Sequence, residues 1–222
     1  ARQGALLGEL TIGCSTASGK YILPRIMAHF LVQHPDVNLT CHVGPRGQAL
    51  DMLEVGEIDL AISSLRVPRR DLEFHHFADD YLVLIVAPGH PWAERGEISP
   101  DELAEEAFVM REAGAGTTIA LNRTLAEFDM SIDVLHRRLM LGNTEAIILA
   151  VSENIGPAFV SNIAAENALA QKTVCEVRVT AFEPVQRLYM VRHKQYHAST
   201  AQKAFWDFTF SPENEFLRPL IT

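Results

Sequence analysis

The sequence predicts an α/β protein built as two lobes. Segments with the two-residue alternation of strands take turns with segments of helical spacing along almost the whole chain. One strand, IDLAIS at 58–63, is a nearly continuous apolar run, which is typical of a parallel strand covered on both faces. Two long apolar strands, at 81–87 and 186–193, lie where the chain would leave the first lobe and return to it.

In the first lobe, the strand GELTIGC places Leu10 and Ile12 at every second position. The helix after it is expected to stop at His34-Pro35, because the residue before a proline disfavours helical angles. Gly56 is a typical left-handed cap for the next helix. In order, the predicted elements are a strand at 8–14, a helix from 21, a strand at 37–43, a short helix ending at 56 and a strand at 58–63.

In the second lobe, a Pro/Gly-rich corner at 88–91 separates the strand at 81–87 from renewed alternation. Asn143 or Thr144 is predicted to cap one helix and Ser161 another. The elements are a capped helix at 99–106, strands at 107–110, 134–141, 157–161 and 174–179, helices at 116–128, 143–153 and from 161, and a terminal amphipathic helix at 199–210. Such alternation implies right-handed crossovers and parallel sheets, and two chain crossings imply hinged lobes with a cleft.

Composition excludes several classes of function. The 222 residues carry 28 acidic and 19 basic side chains, a formal charge of −9, and no basic cluster that would bind nucleic acid tightly. No apolar run approaches the roughly 18–20 residues of a membrane span. The three cysteines are widely separated and odd in number, which favours a reducing compartment. The N-terminus has no secretory pattern and no initiating Met, which indicates a trimmed chain.

Hydroxyl-rich loops follow predicted strands in both lobes. In open parallel sheets, ligands bind at the carboxyl ends of strands, where helix N-termini direct N–H groups at anions. The loop GCSTASGKY offers Ser15, Thr16 and Ser18 as donors. The loop FVMREAGAGTT offers Arg111, whose guanidinium can pair bidentately with an anion, and Thr117. Two such loops, one in each lobe, indicate an anion site better than either loop alone.

Two further strand ends carry polar donors, Ser63-Ser64 and Asn143-Thr144. Helix capping is the simpler role for each pair, and it is also a role for one hydroxyl of the first loop. Contact with a ligand and capping both stay open for these residues.

The catalytic interpretations are weaker. Cys14 has no histidine at a spacing that names it as a base, so a small buried residue is favoured over a nucleophile. The histidines at 75–76 would point to opposite faces of an extended segment, which disfavours a metal site. The acidic pairs at 79–80 and 105–106 are expected to be solvated surface. We predict no catalytic residue, no metal, no cofactor and no enzyme.

The order of these motifs resembles the effector-binding domain of LysR-type transcriptional regulators. The resemblance covers about 8–208 and rests on GELTIG, YILPRIMAHFLVQHPDVNLTCHVG, ALDMLEVGEIDLAIS, APGHPWA, FVMREAGAGT and LGNTEAIILAVSENIGPAFVS. It implies two Rossmann-like subdomains joined by two crossover strands, as in type 2 periplasmic binding proteins. The implied limits are a linker-helix remnant at 1–7, subdomain I at 8–87 plus 188–222, and subdomain II at 88–187.

The resemblance also implies a small effector in the cleft between the lobes: an organic acid, a sugar phosphate or an inorganic anion. Its contacts would fall on the predicted donors, with Asn143 as a further candidate: Ser15, Thr16, Ser18, Ser64, Arg111, Thr117 and Asn143. Where one subset of the family reads GSGTR, this chain has Ala115 and Thr118, which disfavours a phosphate-rich effector.

Partners follow from the same resemblance. The family's N-terminal winged helix-turn-helix is missing from this sequence, so DNA contact is expected only through that domain. A cytoplasmic homodimer is expected, with a tetramer in the full-length protein and no membrane contact. The helix face at 27–32 or the helix around 122–128 would supply the interface. The alternatives are a solute-binding receptor of a transport system, expected to be exported and monomeric, and an enzyme of the porphobilinogen-deaminase type, which would need a cofactor-bearing cysteine loop.

Overall fold

The computed structural model describes residues 6–15, 18–45 and 47–212. Its strands are β1 (Gly8–Ser15), β2 (Val37–Gly44), β3 (Leu60–Ser63), β4 (Leu72–Val86), β5 (Glu97–Ile98), β6 (Ala107–Met110), β7 (His136–Met140), β8 (Ala158–Ser161), β9 (Cys175–Val179) and β10 (Val185–His193). Its α-helices are α1 (Leu23–Gln33), α2 (Gln48–Glu54), α3 (Pro91–Arg95), α4 (Gly116–Ala126), α5 (Thr144–Ser152), α6 (Asn162–Ala170) and α7 (Thr200–Phe210). A π-helical turn (Ser18–Ile22) leads into α1, and 3₁₀ helices occupy Pro100–Glu105 and Ile132–Val134.

The chain divides into two compact units. The first unit contains Ala1–Asp79 and Arg187–Thr222, and the second contains Asp80–Gln186. The chain leaves the first unit within β4 and returns to it within β10. The subdomain limits given above, near 87 and 188, stay a prediction.

The first unit is built on the strand order β2-β1-β3-β10. β1 pairs in parallel with β2 and β3, whereas β10 runs antiparallel to β3. The carboxyl ends of β1, β2 and β3 therefore lie at one edge of this sheet. On one face, the fully buried ring of Phe30 in α1 packs edge-on against Phe205 and Phe208 of α7, with centroid distances of 5.0 and 5.4 Å. The apolar stripe of the terminal helix is thus used in the core, as predicted.

The second unit has a mixed sheet. β8 and β9 run antiparallel to β4, β5 runs parallel to β9, and β6 and β7 form a separate parallel pair. The predicted parallel pairs are present in both units, but the strands that change units, β4 and β10, also make antiparallel pairs, which was not predicted. Phe108 and Phe159 stack in the core of this unit, with ring centroids 6.1 Å apart and ring planes almost parallel, at 7° to each other.

Several predicted helix ends are confirmed. The Asn143 side chain accepts a hydrogen bond from the N–H of Ala146 at 3.1 Å and caps α5. Ser199 accepts from Gln202 at the start of α7, also at 3.1 Å. Gly56 has a φ of +79°, which a side chain rarely adopts, so its place after α2 follows from the lack of a Cβ.

The predictions for Ser161 and Asp80 need correction, and for one shared reason. Ser161 is the N-cap residue of α6, as predicted, but its side chain makes no capping hydrogen bond, because its hydroxyl donates instead to Oδ1 of Asp80 at 2.7 Å. Asp80 is not solvated surface but only 1% exposed, because β4 turns Ala78, Asp80 and Leu82 to the interior in alternation. Burial raises the pKa of Asp80 to about 7, although the Ser161 hydrogen bond favours its charged form.

The corner at 88–91 leads into a short helix, α3, that was not predicted. His90 Nδ1 accepts a hydrogen bond from the N–H of Trp92 at 3.1 Å, and Pro91 occupies the first helical position of α3. None of the helices among the described residues is long and apolar enough to cross a lipid bilayer.

Candidate functional site

The predicted donors of the second unit meet at the end of β6. Arg111 directly follows this strand, and its Nη1 donates to the hydroxyl of Thr144 at 3.1 Å. Thr144 is the first residue of α5 and is buried. Thr117 lies one residue inside α4, the helix that starts after the Gly-rich turn. The guanidinium of Arg111 thus contacts the start of α5, and Arg111 lines one pocket together with Thr117 of α4.

Arg111 already holds a carboxylate. Its Nε and Nη2 donate to the two oxygens of Glu112, each at 2.9 Å, in the bidentate geometry that Arg makes with carboxylates and phosphates. The Arg111 side chain is 12% exposed and the Glu112 side chain is 46% exposed. The hydrogen bonds from Arg111 lower the pKa of Glu112. Sequence reasoning missed Glu112, although its position next to Arg111 was a signal.

Thr117 carries a buried hydroxyl that the protein does not satisfy. The residue is 7% exposed, and its Oγ1 has no hydrogen-bond partner among the residues described. A buried polar group in this state costs about 1–3 kcal/mol. Protein stability therefore does not explain a threonine at this position, because valine has the same shape and would not bury an unpaired hydroxyl.

Thr117 lines a pocket whose walls come from β6, α4 and the core. Arg111 and Thr118 are at its polar side, and the apolar walls include Phe108, Leu121 and Phe159. The enclosed part has a volume of about 10 Å³, enough for about one water molecule. A ligand larger than water must therefore extend outward from this pocket.

The two helix N-termini differ in capping. The α5 N-terminus is capped by Asn143, so the capping role left open for that residue is the one that the structure shows. The α4 N-cap is Ala115, whose methyl group cannot accept a hydrogen bond. The first N–H groups of α4 thus receive no side-chain cap, and they carry the positive end of the helix dipole.

In the first unit, Ser15 ends β1 and Ser64 directly follows β3. Because Cys14 is in register with Ile62, these two serines lie at the same edge of the sheet. Thr16 lies outside the described residues, and of Ser18 only the backbone, at the start of the π-helical turn, is described. The structure thus brings Ser15 and Ser64 to neighbouring strand ends and collects Arg111 and Thr117, with Thr144, in the second unit.

Cys14 is 1% exposed, which confirms that it is a small buried residue. Within the described parts of the chain, no group of three or more His, Cys, Asp or Glu side chains could hold a metal ion.

Comparison with known proteins decides the family. The model of the family described as "LysR substrate binding domain" matches residues 3–210. The chain belongs to this family. A RuBisCO operon transcriptional regulator of Allochromatium vinosum is 31% identical to this LysR domain over 209 residues, covering 94% of the chain and 68% of the relative. The regulator CbbR of Sinorhizobium medicae is 32% identical over 224 residues, covering 99% and 69%.

Solved structures agree with this assignment. The regulatory domain of Synechocystis CcmR, solved in complex with 2-PG, has a TM-score of 0.80 and 27% identity, covering 92% of this LysR domain and 96% of CcmR's. The effector-binding domain of QuiR, solved with shikimate, has a TM-score of 0.79 at 22% identity, with the same coverage. These similarities confirm the predicted fold class. The relatives are transcriptional regulators, so the prediction of a sensor domain rather than an enzyme is also confirmed.

Proposed function

We propose that this LysR effector-binding domain recognises a small anionic metabolite and that Arg111 is its principal anchor. The supporting observation is the bidentate hold of Arg111 on Glu112, because it places the guanidinium fork in a geometry that suits a carboxylate or phosphate. Thr144 orients the same guanidinium from the other side. An effector anion would replace the half-exposed Glu112 carboxylate on Arg111, and Glu112 would move into solvent.

Thr117 and the α4 N-terminus support the same proposal. The unsatisfied Thr117 hydroxyl is available to donate to an effector oxygen, which would remove the cost of burying it unpaired. The uncapped N–H groups after Ala115 would add partial positive charge next to Arg111. Because the enclosed pocket holds only about one water molecule, these groups would bind one end of the effector.

The class of effector can be narrowed for testing. The CcmR regulatory domain was solved with 2-PG, and several relatives are named RuBisCO operon regulators. We therefore propose 2-PG as the first compound to test. Ala115 and Thr118 replace a hydroxyl and a cation of the GSGTR pattern, which disfavours a phosphate-rich effector, so small carboxylates without phosphate are tested beside 2-PG.

A thermal-shift experiment tests this proposal. The chain is melted with 2-PG, small carboxylates, sugar phosphates and inorganic phosphate. A ligand at 100 times its Kd adds about 2.7 kcal/mol, which raises the midpoint by roughly 5–10 °C in a protein of this size. Arg111→Gln should abolish the shift. Arg95→Gln is the matched control, because Arg95 makes a bidentate pair with Glu102 in the same unit. A shift that survives in Arg111→Gln contradicts the proposal.

The contacts from the first unit stay a prediction. Ser15, Thr16, Ser18 and Ser64 are proposed to bind the other end of the effector, and Asn143 is proposed to contribute while it caps α5. Ser64→Ala is the simplest test, because Ser64 follows a strand and starts no helix. We expect it to weaken effector binding.

We also propose that the domain self-associates, as a dimer here and as a tetramer in the full-length protein. The supporting observation is on α1, where Val32 is 82% exposed although the helix is otherwise amphipathic. In sedimentation velocity, Val32→Lys should shift the chain towards the monomer. Val55→Lys is the control, because Val55 is another strongly exposed valine of the first unit. A monomeric wild-type chain would contradict the proposed self-association.

DNA contact and location complete the proposal. We propose that the full-length regulator is cytoplasmic and touches DNA through a part outside this chain. The acidic charge of −9 supports this view, because phosphate binding needs clustered cations. The isolated chain should therefore leave promoter DNA unshifted in an electrophoretic assay, and binding in physiological salt would contradict the proposal.

A further inference from the structure

The fold places two cysteines side by side. Cys14 lies in β1 and Cys41 in β2, and these neighbouring parallel strands pair Ile12 with Cys41 and Cys14 with Val43. Ile12 and Cys14 are two residues apart, so Cys14 and Cys41 project from the same face of the sheet. Their Sγ atoms are 3.5 Å apart although 27 residues separate them in the sequence.

The two thiols differ in their surroundings. Cys14 is 1% exposed and also lies 3.7 Å from the carbonyl oxygen of His42. Cys41 is half-buried, and β2 is the outermost strand of this part of the sheet, so a small reagent reaches Cys41 first. The hydrogen bond from the Cys14 thiol lowers the pKa of Cys41, while that same bond and then burial raise the pKa of Cys14. Cys41 is therefore the nucleophile of the pair.

We propose that Cys14 and Cys41 form an oxidisable dithiol that hydrogen peroxide closes into an intramolecular disulfide. The Cys41 thiolate attacks the peroxide, the O–O bond breaks, and Cys41 becomes a sulfenic acid while the other oxygen leaves as water after taking a proton. Cys14 then attacks the Cys41 sulfur, its thiol proton is lost, and the sulfenic oxygen leaves as a second water. Overall the two thiols lose two electrons and two protons to the peroxide.

Closing the disulfide would act on the loop that precedes α1. A disulfide bond is about 2.05 Å long, so the two sulfurs must approach from 3.5 Å. Gly19, in the π-helical turn, packs so closely here that an added Cβ would lie 2.7 Å from both Cys14 Sγ and a Val43 methyl carbon. Movement of the Cys14 sulfur would therefore change the packing against Gly19 and so the position of this turn. Ser15, a proposed effector contact, is the next residue along the chain.

We therefore expect oxidation to weaken effector binding. This second step rests on the proposed function, whereas formation of the disulfide does not.

Peptide mapping tests the dithiol directly. The reduced 222-residue chain is treated with hydrogen peroxide, alkylated after denaturation and digested. A linked Cys14–Cys41 peptide should appear from monomeric chain and vanish after dithiothreitol, while Cys175 stays alkylated. Cys41→Ser should slow the loss of the Cys14 thiol at least about tenfold, because the reactive thiolate is gone. Cys175→Ser is the matched control and should behave as wild type.

Alkylation of Cys14 and Cys41 in the peroxide-treated chain, or disulfides only between chains, would overturn the proposal. Cys41→Ser keeps the buried Cys14 in place, so the test does not depend on a core substitution that prevents folding.

A second measurement separates this proposal from the proposed function. Effector thermal shifts are compared for the reduced chain, the oxidised chain and peroxide-treated Cys41→Ser. A smaller shift in the oxidised wild type alone supports the link to effector binding, and an equal shift overturns that link while the dithiol stands. If no compound shifts even the reduced chain, the proposed function fails, and the mapped disulfide still decides the dithiol.

Discussion

Glu112→Gln is the substitution that most sharply tests the role of Arg111. Glu112 occupies the guanidinium through two hydrogen bonds of 2.9 Å, so in the free domain it competes with any effector anion. Glutamine keeps the size of the side chain and removes its charge. An anionic effector should therefore bind more tightly to the variant than to the wild type.

The size of this effect follows from the exposure of the pair. Arg111 is mostly buried, but the Glu112 side chain is 46% exposed, so solvent screens the interaction. Exposed ion pairs contribute up to about 1 kcal/mol, and we expect about 0.5–1 kcal/mol here. Removing the competitor should lower the Kd about two- to fivefold. Salt should reduce the difference, because it screens charges near the surface.

Isothermal titration calorimetry measures this change, with 2-PG or the panel compound that gives the largest thermal shift. Glu102→Gln is the matched control, since it makes the same change in net charge and removes the bidentate partner of Arg95 in the same unit. Glutamine also preserves the capping box that Glu102 forms with Ser99. A Glu112→Gln Kd equal to that of Glu102→Gln, or weaker than wild type, would refute the reasoning.

Three further substitutions test other parts of the account. Thr117→Val removes a buried unsatisfied hydroxyl, so it should stabilise the unliganded chain by about 1 kcal/mol and raise its melting temperature by about 2–4 °C, while weakening effector binding. A lower melting temperature would show that the hydroxyl is satisfied. Asp80 has a pKa of about 7 in the folded chain, above its usual value near 3.8. Between about pH 4 and 7 the folded chain therefore keeps a proton that the unfolded chain releases, so the free energy of unfolding should fall as the pH rises through this range. Asp80→Asn should remove most of that fall, which is at most about 4 kcal/mol, when urea unfolding is measured at several pH values. If the free energy of unfolding depends on pH as in the wild type, a buried protonated carboxyl at position 80 is contradicted. Gly156→Ala should destabilise by about 1–3 kcal/mol, because the added methyl would overlap the carbonyl oxygen of Ala107, whereas Gly89→Ala meets open space and should be neutral in the same assay.

Local pattern was enough to predict most elements of the fold. The cap of α5 by Asn143 and the left-handed Gly56 after α2 were readable because both depend on a few adjacent residues. The helix α3 was missed although His90-Pro91 has a capping side chain followed by a proline at the first helical position. Histidine is an uncommon cap, and the surrounding Pro and Gly suggested only a turn.

Asp80 shows where local pattern misleads. The alternation of Ala78, Asp80, Leu82 and Leu84 was present in the sequence, and all four are buried. A pair of acids was nevertheless interpreted as surface, because charged carboxyls are rarely buried. The partner that makes burial tolerable is Ser161, 81 residues away, and no local pattern identifies it.

The candidate site divides in the same way. The positions of Arg111 and Thr117 at a strand-to-helix connection were predictable because the Gly-rich turn between them is visible in the sequence. The Glu112 carboxylate on Arg111, the missing partner of Thr117 and the proximity of Cys14 to Cys41 depend on side-chain packing and strand register. These properties arise only when distant segments meet.

The most direct test of the central claim is to observe the Arg111 side chain during an effector titration. The Nε–H signal of Arg111 is assigned in ¹⁵N-resolved NMR spectra as the arginine signal that Arg111→Gln lacks. Titration with 2-PG, or with the strongest panel compound, should shift this signal saturably and with the Kd measured by calorimetry, because the effector replaces Glu112 on the guanidinium. Binding heat together with an unmoved Arg111 signal would show that the effector binds elsewhere and would contradict the account.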